Sequence, residues 1–319
     1  MPDGSITATR PQESVAAAAL AGLTASPKTL PSKLFYDEEG CRLFGAITAL
    51  PEYYPTRTEL KLLGEIAGDV ASLVPPAASL VEYGGSDESK AAILLRALRW
   101  PASYVPIDVA GPALAAIRRR MELSHPEFAV VPVEADFLAP LRLPPDVPTA
   151  RRVGFFPGST VGNLEPAVAR RFLAEAKRTL GARAQFLVGV DLRKSPDVLV
   201  PAYDDAAGVT AAFNRNILHH LNRAAGADFD PEAFDHRAIW NDAEGRIEMH
   251  LVSRRAQSAT VGGRVIRFAR GETIHTENSY KHTEAEFAAL AAAAGWHRQR
   301  LWTDADRLFS IHLLGDRVP

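Results

Sequence analysis

The stretch Ser79-Leu-Val-Glu-Tyr-Gly-Gly-Ser86 decides the fold of this chain. Its first five residues have the length and apolar character of a buried strand, and they run directly into the adjacent glycines Gly84 and Gly85. A strand that is buried on both faces needs no polar alternation, and adjacent glycines allow a tight turn with close approach to the backbone. The stretch therefore predicts the first strand of a parallel sheet, with a binding site where the strand ends.

Four further apolar runs of strand length follow along the chain. They comprise residues 104–108, 128–133, 152–157 and 185–191. Segments with helical spacing lie after the first, second and fourth of the five runs, whereas the link 137–147 shows no helical pattern. This alternation of strands and helices predicts a doubly wound α/β sheet.

From about residue 196 to residue 281 the pattern changes. A helix is predicted over 204–224, an alternating strand over 246–252, and a hairpin at Gly262-Gly263. We interpret this segment as an inserted, mainly antiparallel domain.

The sequence pattern of the last part of the chain predicts one helix and two strands. Thr283 and Glu286 form a capping box, which opens a helix that runs to Ala294. Strands near 299–303 and 309–315 then complete the sheet with an antiparallel hairpin.

The composition excludes several classes of protein. The chain has 319 residues, 36 Lys and Arg against 38 Asp and Glu, and a formal net charge of −2, so we expect no nucleic-acid surface. The single cysteine, Cys41, excludes an internal disulfide, and we expect it to be a buried structural thiol. Since no run approaches about 20 apolar residues, we expect no membrane span and a soluble, cytoplasmic protein. The apolar segment 15–24 is interpreted as a helix packed on the body.

Polar and aromatic residues follow the strands at the edge where an open α/β sheet binds ligands. Asp108 ends the second run, 24 residues after Gly84, and an acid in this position can accept hydrogen bonds from a ribose. Asp136 and Phe137 follow the third run and suit an adenine amino group and its ring. Together they predict an adenosine pocket. The pocket fits either a nicotinamide-dependent enzyme or an S-adenosylmethionine-dependent enzyme. The sequence lacks the GxGxxG motif of dinucleotide-binding folds, and the closing antiparallel strands favour the S-adenosylmethionine-dependent enzyme.

Two further stretches offer substrate contacts. Pro157-Gly-Ser-Thr-Val-Gly-Asn163 ends in a side chain that both donates and accepts, although Asn163 could equally serve as a helix N-cap. Glu277 and Ser279 are two residues apart and point to the same side of an extended segment, where they would suit an N–H-rich ring or form a solvated strand edge.

Three histidines are interpreted as structural residues. No spacing of histidines and carboxylates typical of a metal site accompanies them. They are His219, His220 and His250.

Several long and rare strings identify a family. They are Leu34-Phe-Tyr-Asp37, Leu50-Pro-Glu-Tyr-Tyr-Pro-Thr-Arg-Thr-Glu59, Pro157-Gly-Ser-Thr-Val-Gly-Asn163, Ala202-Tyr-Asp-Asp205 with Gly208-Val-Thr210, Phe213-Asn-Arg-Asn216, Arg246-Ile-Glu-Met249 and Thr276-Glu-Asn-Ser279. With them, and over nearly its whole length, the chain resembles the S-adenosylmethionine-dependent L-histidine Nα-methyltransferases of ergothioneine biosynthesis.

The resemblance implies a Rossmann-like methyltransferase sheet with an antiparallel C-terminal hairpin and an inserted α+β substrate domain. We expect an N-terminal helical cap over 1–67, the cofactor-binding core over 68–195, the substrate-recognition insert over 196–281 and a closing helix and hairpin over 282–319. We expect a monomer whose partners are small molecules.

The resemblance also places the site. For S-adenosylmethionine it implies a glycine turn, a lysine on the methionine carboxylate, a ribose acid, two adenine contacts and a tyrosine near the reacting centre: Gly84, Lys90, Asp108, Asp136, Phe137 and Tyr36. For histidine it implies three contacts to the α-amino and α-carboxylate groups (Tyr53, Asn163 and Tyr203), two readers of the imidazole (Glu277 and Ser279) and two pocket-lining residues (Thr210 and Met249). In one departure, the family's Gly-x-Gly turn is Gly84-Gly85-Ser86 in this chain.

The implied reaction is three successive methyl transfers to the α-amino group of L-histidine, giving hercynine, the first step of ergothioneine biosynthesis. Asn163 and Tyr36 would act at the reacting centre, and no metal is needed. The alternatives are an Nα-methyltransferase for another amino acid or amine, a nicotinamide-dependent oxidoreductase and a binding protein without catalysis.

Overall fold

A computed structural model describes residues 14–85 and 87–316 of the chain. The strands, in chain order, are β1 (Lys28–Thr29), β2 (Ser79–Tyr83), β3 (Ser103–Asp108), β4 (Ala129–Val130), β5 (Val133–Glu134), β6 (Arg152–Phe156), β7 (Gln185–Asp191), β8 (Phe234–Asn241), β9 (Arg246–Ser253), β10 (Gln257–Val261), β11 (Arg264–Phe268), β12 (Thr273–Tyr280), β13 (His297–Thr303) and β14 (Phe309–Gly315). The helices are α1 (Val15–Leu23), α2 (Glu38–Thr48), α3 (Tyr54–Leu73), α4 (Ser89–Ala97), α5 (Gly111–Ser124), α6 (Pro166–Leu180), α7 (Pro196–Leu199), α8 (Val209–Ala225) and α9 (Glu284–Ala293).

The chain divides into two compact units. The larger comprises Tyr53–Pro196, Asn241–Arg246 and Asn278–Pro319, and the smaller comprises Met1–Glu52, Asp197–Trp240 and Ile247–Glu277. The four-part division predicted from the sequence, with boundaries at residues 67, 195 and 281, stays a prediction.

The larger unit is built on a sheet whose strands lie in the order β13-β14-β7-β6-β2-β3-β4, with β5 also paired to β3. The strands β2, β3, β4, β5, β6 and β7 pair in parallel. β14 lies antiparallel to β7, and β13 lies antiparallel to β14. The predicted parallel sheet with an antiparallel C-terminal hairpin is confirmed.

Helices cover both faces of this sheet. Leu80 and Tyr104 pack with side chains of α3, α4 and α5 on one face. The neighbouring residues Val81 and Val105 pack with α6 and α9 on the other. Because successive side chains of a strand point to opposite faces, strands buried on both sides are apolar without alternation, and the sheet is doubly wound.

The third apolar run forms two short strands rather than the single one predicted. β4 and β5 both pair with β3, and Pro132 lies between them. Proline has no N–H for a ladder hydrogen bond, which explains the interruption. The link that follows contains no helix among its described residues, as predicted, and its Leu141 and Leu143 pack against the core.

The smaller unit is built on a four-stranded sheet in the order β1-β12-β9-β8, with the antiparallel hairpin β10-β11 formed at Gly262-Gly263 as predicted. α8 begins at Val209, so the prediction that this helix begins at residue 204 is wrong. Gly208 has φ +73°, a left-handed conformation that a right-handed helix cannot include.

Two N-terminal features can be compared with their predictions. The helix expected over 15–24 is present as α1. The expectation of a buried Cys41 is wrong, because its side chain is exposed. The buried face of α2 is formed by Gly40, Leu43 and Ile47, and Cys41 lies outside that face.

A buried histidine makes the stability of the larger unit depend on pH. His312 on β14 is fully buried, its Nε2 lies 3.0 Å from the Ser310 Oγ, and burial lowers its pKa to about 3. The unfolded chain takes up a proton on this residue near pH 6.5, whereas the folded chain does not until the pH is far lower. Folding stability is therefore lost as the pH falls below about 6.5.

We predict that His312→Asn flattens the fall in unfolding free energy between pH 6.5 and 5 by as much as about 1.4 kcal/mol per pH unit. Urea titrations across this range measure the effect, with His297→Asn, a change at an exposed position of β13, as the control. Equal slopes in the two variants would contradict the assignment.

Candidate functional site

The carboxyl ends of β2, β3, β5, β6 and β7 meet at one edge of the parallel sheet. The segments after these ends carry most of the predicted cofactor residues. Gly84 follows β2, Asp108 ends β3, and Asp136 and Phe137 follow β5. The predicted residues of the adenosine pocket are therefore brought to one edge of one sheet.

Each glycine of the turn has a specific reason to be glycine. Gly84 adopts φ +79°, and a Cβ there would lie 3.8 Å from the Phe137 ring. A Cβ on Gly85 would lie 2.8 Å from the Cβ of Pro106, which is closer than real Cβ contacts. The turn thus presents bare backbone next to an aromatic ring. Ser86, where the chain departs from the family pattern, lies outside the described residues.

The two predicted carboxylates also shape their own loops. Asp108 Oδ1 accepts the Ala110 N–H at 2.9 Å, and Asp136 Oδ1 accepts the Leu138 N–H at 2.9 Å. Phe137 packs edge-on against the Phe172 ring, with centroids 5.5 Å apart. These local bonds fix the carboxylates at the sheet edge.

Lys90 pairs with Glu59, which is not among the predicted site residues. Its Nζ lies 2.6 Å from the Glu59 Oε2, and Glu59 is fully buried. Glu59 also accepts the Gly158 N–H at 2.8 Å. One carboxylate on α3 therefore holds both the lysine of α4 and the loop after β6. Glu59 is the last residue of the string 50–59, which is the signal that could have identified it.

The loop after β6 leads to Asn163 through a 3₁₀ turn, Thr160–Asn163. Ser159 is left-handed with φ 55°, and the Thr160 hydroxyl donates to the Pro157 carbonyl at 2.8 Å. The N-cap of α6 is Glu165, so the alternative interpretation of Asn163 as that N-cap is wrong.

Asp191, the last residue of β7, is the centre of a buried polar network that was not predicted. It is fully buried and accepts hydrogen bonds from the Tyr54 hydroxyl at 2.9 Å and from the Lys194 Nζ at 2.5 Å. The Lys281 Nζ lies 2.6 Å from the Asp191 Oδ2, and the backbone N–H of Asp191 donates to the Ser159 Oγ at 2.9 Å. The network thus joins the start of α3, the loop after β6 and the segment after β12.

Burial and neighbouring charges shift the pKa values of this network in opposite directions. Burial alone would raise the pKa of Asp191, but the ammonium groups of Lys281 and Lys194 hold that pKa below its usual value. Burial lowers the pKa of Lys194 to about 8, against the attraction of Asp191. The carboxylate is therefore ionised at neutral pH.

Predicted substrate residues lie beside members of this network. Tyr53 precedes Tyr54 and occupies the N-cap position of α3. Ser279 is buried on β12, and its Oγ accepts a hydrogen bond from the Lys281 Nζ at 2.9 Å. The larger unit therefore places Tyr53, Asn163 and Ser279 on segments that share buried anchors.

In the smaller unit, Tyr36 packs on α2 and α8. Its ring contacts Phe44 and Phe213 edge-on, with centroids 6.0 Å apart in both pairs. The neighbouring Asp37 accepts the Gly40 N–H at 2.8 Å and the Asn216 Nδ2 at 2.7 Å. Two of the rare strings, 34–37 and 213–216, are therefore packing partners.

A second network, also not predicted, supports Tyr203 and the strand of Glu277. The Tyr203 carbonyl lies 2.8 Å from the His236 Nε2, and the His236 Nδ1 lies 2.8 Å from the Asn214 Nδ2. The Asn214 Oδ1 accepts from the hydroxyl of Thr276, the residue before Glu277, at 2.8 Å. The side chains that link these segments are buried.

The remaining predicted substrate residues of the smaller unit are on α8 and β9. The Thr210 N–H donates to the Asp205 Oδ1 at 2.7 Å, which fixes the first turn of α8. Met249 is 1% exposed, and its carbonyl oxygen lies 3.0 Å from the Thr276 Oγ1.

Three residues of the smaller unit have ligand atoms within 4.8 Å of one another: Glu248, His250 and His275. The two imidazole rings are stacked with an interplanar angle of 27°, so their in-plane lone pairs run side by side. His250 Nε2 lies 3.1 Å from the Glu248 carboxylate, and His275 Nε2 lies 3.0 Å from the Glu277 carbonyl. Because metal ligands must converge on one point, this geometry fits hydrogen-bonded histidines better than a metal centre.

None of the helices formed by residues 14–85 and 87–316 combines the length and the apolar character that a membrane span requires.

Comparison with known proteins gives three principal findings. The family model described as histidine-specific methyltransferase, SAM-dependent, matches residues 15–316. A histidine N-alpha-methyltransferase of Mycolicibacterium smegmatis is 43% identical over 298 residues, which cover 92% of each chain. Ergothioneine biosynthesis protein 1 of Neurospora crassa is 30% identical over 90% of this chain and 33% of its own length.

The fold has solved counterparts. A S-adenosylmethionine-dependent methyltransferase from Clostridium acetobutylicum superposes with a TM-score of 0.50 at 9% identity, covering 86% of this chain and 98% of that chain. At this identity the likeness concerns the fold alone, and it confirms a Rossmann-like methyltransferase sheet. From the family match and the identity to the mycobacterial enzyme, we conclude that the chain belongs to the histidine-specific, S-adenosylmethionine-dependent methyltransferases.

Proposed function

We propose that the protein transfers methyl groups from S-adenosylmethionine to the α-amino nitrogen of L-histidine, three in succession, to give hercynine for ergothioneine biosynthesis. The observation that supports histidine most strongly is the pairing of Glu277 with Ser279 on β12. The two residues are two apart on one strand, so they point to the same side, and a carboxylate with a hydroxyl matches the two nitrogens of an imidazole.

The sheet edge fits the methyl donor. We propose that the bare backbone of the turn at Gly84 lets the methyl donor approach closely. Asp108 would accept hydrogen bonds from its ribose, and Asp136 and Phe137 would contact its adenine. The bare backbone that the turn presents beside the Phe137 ring and the carboxylates at the ends of neighbouring strands support this assignment. Lys90, oriented by Glu59, would donate to the methionine carboxylate, because an ammonium has three donors.

The chemistry that the chain must supply is mainly positioning. Bound S-adenosylmethionine carries a methyl group already activated on its sulfonium sulfur. Asn163 would accept an N–H of the substrate amine and so aim the nitrogen lone pair, with Tyr53 and Tyr203 holding the rest of the amino-acid group. The rings of Tyr36 and Tyr53 would favour the growing ammonium cation. Thr210 and Met249 would line the pocket.

We also propose that segment 68–195 serves the methyl donor and segment 196–281 recognises the amino acid, between the cap 1–67 and the closing segment 282–319. Monomeric state and cytoplasmic location stay predictions.

The proposal is tested by incubating the protein with S-adenosylmethionine and a panel of amino acids, followed by mass spectrometry. We expect histidine to gain one, two and three methyl increments and the other amino acids to remain unmodified. Methylation of a different amino acid in preference to histidine would overturn the substrate assignment.

We predict that Glu277→Ala lowers kcat/KM for histidine by about two orders of magnitude, because the imidazole N–H loses a charge-assisted acceptor. Selectivity should relax toward apolar aromatic amino acids. Glu244→Ala, in the exposed turn before β9, is the matched control and should behave as the unmodified protein. An undiminished kcat/KM for histidine in the Glu277 variant would refute the assignment.

For Asn163→Ala we predict a fall in kcat larger than the rise in KM, because this side chain aims the reacting amine. Steady-state kinetics with mass-spectrometric product analysis measure both. Asn163→Asp, which keeps an acceptor oxygen, should retain more turnover. Normal trimethylation by the alanine variant would exclude this role.

A further inference from the structure

Within the larger unit, the turn that carries Asn163 lies directly on the end of the strand that carries Ser279. Gly162 is buried in the 3₁₀ turn Thr160–Asn163, and Tyr280 is the last residue of β12. A Cβ built on Gly162 would lie 2.6 Å from the Tyr280 carbonyl oxygen and 3.5 Å from the Tyr280 backbone nitrogen. Real Cβ atoms essentially never show contacts under 3.0 Å, so the missing side chain of Gly162 allows this approach.

Gly162 is required for space and not for backbone conformation. The residue lies in a right-handed 3₁₀ turn and does not adopt the positive φ that Gly158 shows at +75°. Alanine could therefore adopt the same backbone dihedral angles. Its cost would come from the contact with the Tyr280 carbonyl, which belongs to the backbone and cannot rotate aside as a flexible side chain does.

Hydrogen bonds on the other side of Asn163 join the same two segments. Glu165 Oε1 accepts from the Asn278 Nδ2 at 2.7 Å, and Glu165 Oε2 accepts from the Tyr280 hydroxyl at 2.7 Å. Asn278 and Tyr280 are the two neighbours of Ser279 in the chain, and Glu165 lies two residues after Asn163. These bonds oppose any movement of the turn away from the strand.

Under the proposed function, Asn163 holds the α-amino group and Ser279 contacts the imidazole. The spacing of the two residues then suits an amino acid with one methylene between its α-carbon and its ring. We infer that Gly162 is a specificity-determining residue, because the bare backbone there sets this spacing and thereby the length of side chain that the site accepts. The inference deepens the proposed function and rests on it. A side chain at position 162 would separate the turn from the strand, whichever of the two moved.

The test compares Gly162→Ala with Gly68→Ala, using L-histidine and L-homohistidine, which carries the same ring on one more methylene. Gly68 is exposed on α3, and a Cβ there would meet no atom of the described residues within 4 Å. Misplacement by about 1 Å costs on the order of 100-fold, so we expect kcat/KM with histidine to fall by about 10- to 100-fold in Gly162→Ala.

The ratio of kcat/KM for homohistidine to kcat/KM for histidine is the readout that a merely structural role would not move. One methylene is worth about 10- to 200-fold in discrimination, so this ratio should rise by about tenfold in Gly162→Ala. Gly68→Ala should leave the ratio unchanged. Dissociation constants of the two amino acids, measured by calorimetry with S-adenosylhomocysteine present, should shift in the same direction without any turnover.

A second variant decides if Gly162→Ala does not fold. Glu165→Ala removes both bonds to the neighbours of Ser279, and we expect the ratio to rise by about three- to tenfold. Its control is Glu122→Ala, which breaks an exposed bond to Arg118 on α5 and should leave the ratio unchanged.

Equal losses for the two amino acids in Gly162→Ala, or an unchanged ratio in Glu165→Ala where that variant decides, would overturn the inference. If the unmodified protein does not methylate histidine, the proposed function fails and this inference fails with it. If the unmodified protein methylates histidine and the ratio stays unchanged in the variant, only this inference fails.

Discussion

The larger unit depends on one buried charge. Asp191 has no exposed surface, and an ionised carboxylate in such a place costs several kcal/mol unless it is paired and hydrogen-bonded. The partners come from distant parts of the chain: Tyr54 from the start of α3, Ser159 from the loop after β6, and Lys281 from the segment after β12. Pairing this carboxylate therefore fixes the three segments that carry Tyr53, Asn163 and Ser279. The same set of bonds therefore stabilises the larger unit and positions these three segments.

In the smaller unit, neutral side chains form the buried network that links distant segments. Asn214 is fully buried and joins His236 to Thr276, so the backbone at Tyr203 is tied to the strand that carries Glu277. Burial lowers the pKa of His236, which keeps the imidazole neutral, with one nitrogen donating and one accepting. The two networks thus use different chemistry for one purpose, which is to hold predicted substrate contacts on well-defined backbone.

Local pattern predicts much of this fold because the physics involved is local. Strands buried on both faces are continuous apolar runs, the glycine pair marks a turn, and Thr283 with Glu286 forms the capping box expected. The start of α8 was misplaced because the left-handed Gly208 breaks a segment whose composition still suits a helix. Glu59, Asp191 and Lys281 escaped prediction for another reason. The contacts by which they join separate segments, such as Glu59 with Lys90 and Asp191 with Lys281, span 31 or more residues, and a single sequence does not display such pairs.

Under the proposed function, Glu277 and Ser279 on β12 recognise the imidazole ring of histidine. A crystal structure with L-histidine and S-adenosylhomocysteine tests this most directly. We predict one imidazole nitrogen within hydrogen-bond distance of a Glu277 oxygen and the other within that distance of the Ser279 Oγ. An imidazole that lies away from β12, with neither nitrogen within hydrogen-bond distance of Glu277 or Ser279, would contradict the proposed recognition of histidine.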